Sequence, residues 1–193
     1  MVWALTEASL MAIKGGLMMR IYLCGACNSG KGEICRIVAE KLGLPALIDP
    51  SEAIFKPIYS VGLDRVFRGY KWQGKREETY QGLLKYLEAF EEGDFISNEG
   101  PLLLLSHLLF FGVLSVLEDS QRKTVLEKAL SQLDQGRHYI IERWAPGNIF
   151  DQVSVTIQKD LAGARENIKI LPAQKGYEET ISKAVRGILR EVK

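Results

Sequence analysis

Residues 20–40, RIYLCGACNSGKGEICRIVAE, place a short apolar run directly before a glycine-rich turn and an amphipathic helical pattern directly after it. From Gly25 the order is Gly25, four further residues, Gly30 and Lys31, which is the Walker A spacing. Each part has a physical reason. Ile21, Tyr22 and Leu23 supply a buried strand. Gly25 and Gly30 permit the dihedrals and the close backbone approach that a phosphate requires. The first turn of the following helix presents unpaired N–H groups to the anion, and Lys31 reaches the β- and γ-phosphates as a point charge. Gly25, Ala26, Cys27, Asn28, Ser29, Gly30, Lys31, Gly32 and Glu33 are therefore the expected triphosphate cradle. One position departs from the pattern: Gly32 stands where Ser or Thr normally offers a hydroxyl to Mg²⁺, and Glu33 is acidic rather than hydroxylic. Mg²⁺ is then left to water, to Ser29 or to a distant carboxylate.

The rest of the composition bounds the setting. A chain of 193 residues can bury a full core as one domain with a small lid or insertion. Its formal charge of +1 gives no general attraction to nucleic acid or membrane, so any polyanion binding is local. Cys24, Cys27 and Cys35, odd in number and gathered around the loop, read as ordinary cytosolic thiols rather than a disulfide framework. The sequence has neither an eighteen-residue apolar run nor an opening signal pattern, so a cytoplasmic protein is expected, with no membrane partner. Residues 1–18 read as an N-terminal extension, either a short packed helix or an upstream start to a domain beginning near Met18 or Met19.

Along the chain, helical and strand patterns alternate. Apolar positions 34, 37, 38 and 42 fit a helix closed by Gly43 and Pro45, and Leu47 and Ile48 a brief strand ending at Asp49. Asp49 sits at the sheet rim, where it either orients an acceptor or caps the helix that begins at Pro50. Residues 55–80 interleave basic and aromatic side chains; they form either an acceptor region, with Arg65 and Arg68 on one helix face, or a solvated basic segment with its aromatics turned inward. Phe95, Ile96 and Ser97 read as a core strand, which puts Glu99 at its end beside the phosphate loop. Glu99 is the expected partner for Mg²⁺ or for the hydroxyl being phosphorylated, or else a local cap.

Residues 102–117 read as one long apolar helix, serving the core or a homodimer, with His107 as a packing residue. HYIIERW predicts a further strand ending with Arg143 at the rim. From there a guanidinium meets a transferring phosphoryl group or pairs with a carboxylate such as Glu142. Residues 150–166 are ambiguous, since VSVTI alternates like a strand whereas KDLAGARE suits a lid helix bearing Lys159 and Arg165. Residues 168–171 give the last strand and 176–192 a terminal helix. The expected fold is α/β, a three-layer sandwich with a mainly parallel sheet.

The loop GACNSGKGE is similar to the phosphate loop of adenylate kinases, with Gly25, Gly30, Lys31 and Gly32 matching and Glu33 where that group has Thr. FISNEGP resembles the acidic strand-end motif of the P-loop nucleoside and nucleotide kinases, including small phage-encoded members, with Glu99 at the acidic position and the usual Arg absent. IKILPAQKGYEETISKAVRGIL resembles their closing strand, which implies that Pro172 and Ala173 edge the adenine. The resemblance spans residues 19–192 and implies a P-loop kinase using ATP and Mg²⁺. Its expected machinery is Lys31, Glu99, Arg143 and Arg165 for transfer and metal, with Asp49, Arg65 and Arg68 for a nucleotide or related small acceptor. The alternatives are a kinase acting on modified bases or ends in DNA, or a nucleotide-binding module with little turnover.

Overall fold

The computed structural model describes residues 18–145, 147–163 and 165–192, the side chains of Leu63 and Asp64 excepted. All but the last residue of the expected N-terminal extension lies outside the described residues. The first strand, β1 (Arg20–Gly25), is buried along its whole length and forms the middle of a five-stranded sheet. It pairs on one side with β3 (Phe95–Ser97), which in turn pairs with β2 (Ala46–Leu47). On the other side it pairs with β4 (Arg137–Ile141), which carries β5 (Ile168–Leu171). The order is β2-β3-β1-β4-β5 and every pairing is parallel, as a chain alternating strand and helix requires.

Because side chains alternate across a strand, β1 feeds two separate cores. Ile21 and Leu23 point to the face covered by α1 (Lys31–Leu42) and α8 (Tyr177–Val192), where they join Ile34, Val38, Ile181 and Ile188. Tyr22 and Cys24 point to the other face, which is the larger. There they meet Phe55 of α2 (Pro50–Tyr59), Val66 and Phe67 of α3 (Leu63–Arg68), Leu83 and Leu87 of α4 (Arg76–Glu88), Leu104 and Leu108 of α5 (Pro101–Phe110) and Val125 of α6 (Asp119–Asp134). The last helix on this side, α7 (Ile149–Ala162), packs along α5 and against β1. The result is the expected three-layer α/β sandwich.

Three local expectations are corrected. The apolar run 102–117 is not one helix: α5 stops at Phe110, Gly112 takes a left-handed φ of 66°, and Val113–Val116 continue as a short 3-10 turn. Its leucines 102, 104, 105 and 108 are buried within this chain, so a core role accounts for them. The fourth strand ends at Ile141, leaving Glu142, Arg143 and Trp144 in the loop beyond it. VSVTI is helical: it lies within α7, whose buried positions Asp151, Ser154, Gln158 and Ala162 fall at helical spacing. In the 55–80 segment the aromatics Phe55, Tyr59, Phe67 and Trp72 turn into the core, which leaves Tyr70 as the exposed ring among them.

Candidate active site

The loop between β1 and α1 is held by steric necessity. Gly25 has φ +119°, and a Cβ there would lie 2.2 Å from the carbonyl oxygen of Ile141 in the neighbouring strand. Gly30, at φ +86°, comes so close to α8 that its Cβ would stand 3.0 Å from Ile181 Cγ1. Lys31 folds back over the loop and donates from Nζ to the carbonyls of Gly25 (3.1 Å) and Ala26 (2.6 Å). Burial lowers its affinity for the proton, while the charges of nearby thiols and of Glu99 raise it. The Ser29 hydroxyl is buried under the loop with no hydrogen-bond partner among the described residues. At Gly32 the space is open, the nearest atoms to a Cβ being Asn98 Nδ2 at 3.8 Å and an Arg36 nitrogen at 3.9 Å. Glu33 accepts a hydrogen bond from the Tyr177 hydroxyl at 2.9 Å.

Beyond β3, Asn98 and Glu99 tie the strand end to the start of α2. Asn98 Nδ2 donates to Asp49 Oδ1 and the Asp49 amide donates back to Asn98 Oδ1, both at 2.7 Å. Glu99 accepts from the Ser51 amide (2.9 Å) and the Ser51 hydroxyl (2.7 Å), one on each oxygen. Burial raises the Glu99 pKa; the Ser51 hydrogen bonds and Lys31 act against that rise and Asp49 adds to it. The carboxylate is therefore oriented and more basic than an ordinary one.

Opposite the loop, Asp151 is buried in the first turn of α7, its amide bonded by the capping side chain of Asn148 at 3.0 Å. Its two oxygens face two arginines: Oδ1 lies 2.9 Å from Arg68 of α3, and Oδ2 lies 3.7 Å from Arg143 beyond β4. Gly147 allows this arrangement, because a Cβ there would come within 2.9 Å of the Asp151 side chain. The Arg68 guanidinium also lies 5.4 Å from the centre of the Phe150 ring.

The loop, Asp49, Asn98, Glu99, Arg68 and Asp151 open on one cavity of about 500 Å³. The loop forms one wall; Asp49, Asn98 and Glu99 form the end; Leu103, His107, Phe111, Phe150, Asp151 and Ser154 form the facing wall. A neighbouring open groove carries Arg143, Trp144 and Lys159, and the last of these is ion-paired with Glu142. Among the described residues no three His, Cys, Asp or Glu side chains are grouped to hold a metal ion, and no helix is long and apolar enough to cross a membrane.

No protein-family model matches the sequence, and no curated protein matches it. Solved structures do. Deoxyadenosine kinase from M. mycoides, solved with its products bound, superposes with a TM-score of 0.50 at 11% identity, over 91% of this chain and 100% of that one. The chain has the P-loop kinase fold. Also similar are shikimate kinase from Aquifex aeolicus vf5 (TM-score 0.46, 17% identity, 90% of this chain and 98% of that one) and a gluconokinase from Sinorhizobium meliloti 1021 (0.45, 12%, 89% and 92%).

Within this P-loop kinase fold, the residues singled out in the sequence fall into three groups. Gly25 to Glu33, Asp49, Arg68 and Glu99 gather around the cavity, with Ser29 beneath its floor. Arg143 stands behind Asp151 in the adjoining groove. Arg65 is exposed on α3 and does not line the cavity. Arg165 lies where β5 begins, the opposite edge of the sheet from the loop, donating to Leu161 and paired with Asp134 at 3.6 Å. Sequence reasoning missed Ser51, Asn98 and Asp151. Asp151 left a signal, since Asn148 followed three residues later by an acid is a helix-start pattern.

Proposed function

We propose that the chain is a kinase that transfers the γ-phosphoryl group of ATP to a hydroxyl of a nucleotide or related small molecule. The observation that carries this reading is the meeting of a glycine-and-lysine phosphate cradle with the basic, oriented carboxylate of Glu99 in one cavity. Phosphoryl transfer asks a protein mainly for alignment and charge neutralisation. The loop amides and Lys31 hold the donor phosphates, Lys31 exchanging its two carbonyl partners for phosphate oxygens. Glu99 accepts the proton of the acceptor hydroxyl as its oxygen bonds to phosphorus; the bond from phosphorus to the bridging oxygen breaks, and ADP leaves with that electron pair. Arg143, close to the loop residue Ala26 in the adjoining groove, adds positive charge beside the donor.

The chain's residues fit a triphosphate, which the loop amides, Lys31 and the buried Ser29 hydroxyl, without a partner among the described residues, would hold. They fit Mg²⁺ in one mode, in which a carboxylate at the end of the cavity, Glu99 or Asp49, would hold it together with phosphate oxygens and water. When bound, that ion would neutralise charge on the β- and γ-phosphates. A small acceptor is favoured over a DNA end because the aromatics of 55–80 are largely buried and the cavity is compact. Such an ATP-using enzyme belongs in the cytoplasm.

The test is transfer of label from γ-labelled ATP to a panel of nucleosides, nucleoside monophosphates and short DNA. Transfer that is lost in Lys31→Ala would uphold the kinase reading, and failure to bind ATP at all would remove it. Gly32 favours a second reading, since a loop lacking the metal-binding hydroxyl suits a nucleotide-binding module. Tight ATP binding with neither transfer nor hydrolysis would select that one.

A further inference from the structure

We infer that the acceptor half of this cavity takes an uncharged, ring-bearing hydroxyl compound of nucleoside size, and that Asp151 excludes the phosphorylated counterpart. The inference rests on the kinase reading for the identity of the donor; for the acceptor it selects the uncharged related molecule over the nucleotide. Among the described residues three cations line the cavity, Lys31, Arg36 and Arg68, against four carboxylates, Glu33, Asp49, Glu99 and Asp151. Lys31 belongs to the donor loop and Arg36 extends from the same helix, beside Gly32. An anionic acceptor on the facing wall therefore has Arg68 as its counter-ion.

Arg68 is already committed. Its guanidinium nitrogen is 2.9 Å from Asp151 Oδ1, it also donates to the Cys27 sulfur at 3.8 Å, and it lies over the Phe150 ring. The Asp151 side chain is 5% exposed, so it is poorly hydrated and depends on its arginines for compensation. Among the described residues Arg143, at 3.7 Å, would be left as its ion-pair partner. Removing one member of a buried ion pair leaves an uncompensated charge, which is the costly case. A phosphate entering beside Arg68 would also face the Asp49 and Glu99 carboxylates across the same space. An uncharged molecule meets none of these penalties. It offers its hydroxyl to Glu99 and its ring to Leu103, Phe111 and Phe150, with the Ser154 hydroxyl on the same wall.

The experiment is calorimetric titration of the full chain, with ADP present, by common ribo- and deoxynucleosides, each beside its 5′-monophosphate, followed by transfer assays with ATP and Mg²⁺. The uncharged member of the best pair should bind on the order of 100-fold more tightly than its monophosphate. Equal or tighter binding of the monophosphate, or binding of neither member of any pair, overturns the inference. Binding of the uncharged member without transfer upholds it while removing the kinase reading, so the two fail separately. Asp151→Asn should narrow the preference at least about tenfold, chiefly by tightening the monophosphate, and an unchanged ratio removes Asp151 as the determinant. If that variant is not folded, Arg68→Met asks the same question: it should not weaken the monophosphate more than its uncharged partner. Selective loss of the monophosphate would overturn the inference.

Discussion

The main chains of Gly25 and Ile141 approach so closely that a Cβ on residue 25 would sit 2.2 Å from the carbonyl oxygen of residue 141. The loop leaves β1 at this point with φ +119°, a region that costs an L side chain dearly. Gly25→Ala should therefore destabilise the fold by about 2–4 kcal/mol and lower the melting temperature by roughly 5–10 °C. A calorimetric scan checks it, and an unchanged midpoint would mean that β1 and β4 separate without cost.

Lys31→Ala should leave the circular dichroism spectrum intact while weakening ATP binding by roughly 10- to 100-fold, the worth of a charge-assisted contact. Its two hydrogen bonds run to loop carbonyls that remain next to solvent in the cavity, so the loop survives their loss. Isothermal titration is the check.

Glu99→Gln should reduce the turnover number by about 10²- to 10⁴-fold with ATP affinity nearly unchanged. The wild-type enzyme should lose kcat/KM on acidification at a pH above the ordinary carboxylate range. Burial raises the pKa of Glu99, and once protonated it is too weak a base to take up the acceptor's proton. A pH profile whose acid limb is unmoved in Glu99→Gln would assign the base elsewhere.

Gly32→Ser adds a side chain where nothing lies closer than 3.8 Å, at the second position of α1. Replacing a helical glycine should stabilise the protein by roughly 0.5 kcal/mol. The new hydroxyl should lower the Mg²⁺ concentration needed for half-maximal turnover, which a metal titration would read directly. A variant that unfolds or needs more metal would contradict the open geometry at this position.

His138 is buried in stacked contact with Tyr22, ring centroids 4.6 Å apart, and burial pushes its pKa down from 6.5 to about 3. The folded protein therefore refuses a proton that the unfolded chain accepts below pH 6.5. Stability should fall as pH drops from 6.5 towards 3, by at most about 1.4 kcal/mol per unit from this group. His138→Phe keeps the stack and should flatten that slope in urea titrations.

The loop's shape and place were legible in the sequence because they are written in consecutive residues, glycines and a lysine that the local backbone needs whatever surrounds it. Glu99 was legible for a related reason, since the end of a parallel strand next to the loop fixes where its side chain begins. Asp151 was not, because α7 buries a polar seam. Ser154, Gln158 and Ser106 hydrogen-bond to one another in its interface with α5, so the inward positions carry no apolar periodicity. Val153, Val155 and Ile157, only half-buried, supplied the alternation that mimics a strand. Arg65 and Arg68 share α3, yet only tertiary packing decides that one reaches Asp151 while the other faces solvent.

The parallel sheet acts as a gauge for the chemistry. The donor loop and Glu99 depart from β1 and β3, whose register pairs Arg20 with Phe95 and Tyr22 with Ser97. A one-residue slip would carry Glu99 about 3.3 Å along the strand and turn it to the other layer. In the proposed reaction donor and base are thus aligned by main-chain hydrogen bonds of the sheet, whereas the wall that would face the acceptor is built from side chains of α3, α5 and α7. Changes to that wall can alter what is recognised while leaving the alignment of reacting groups intact, so selectivity and chemistry are free to diverge along separate mutational routes.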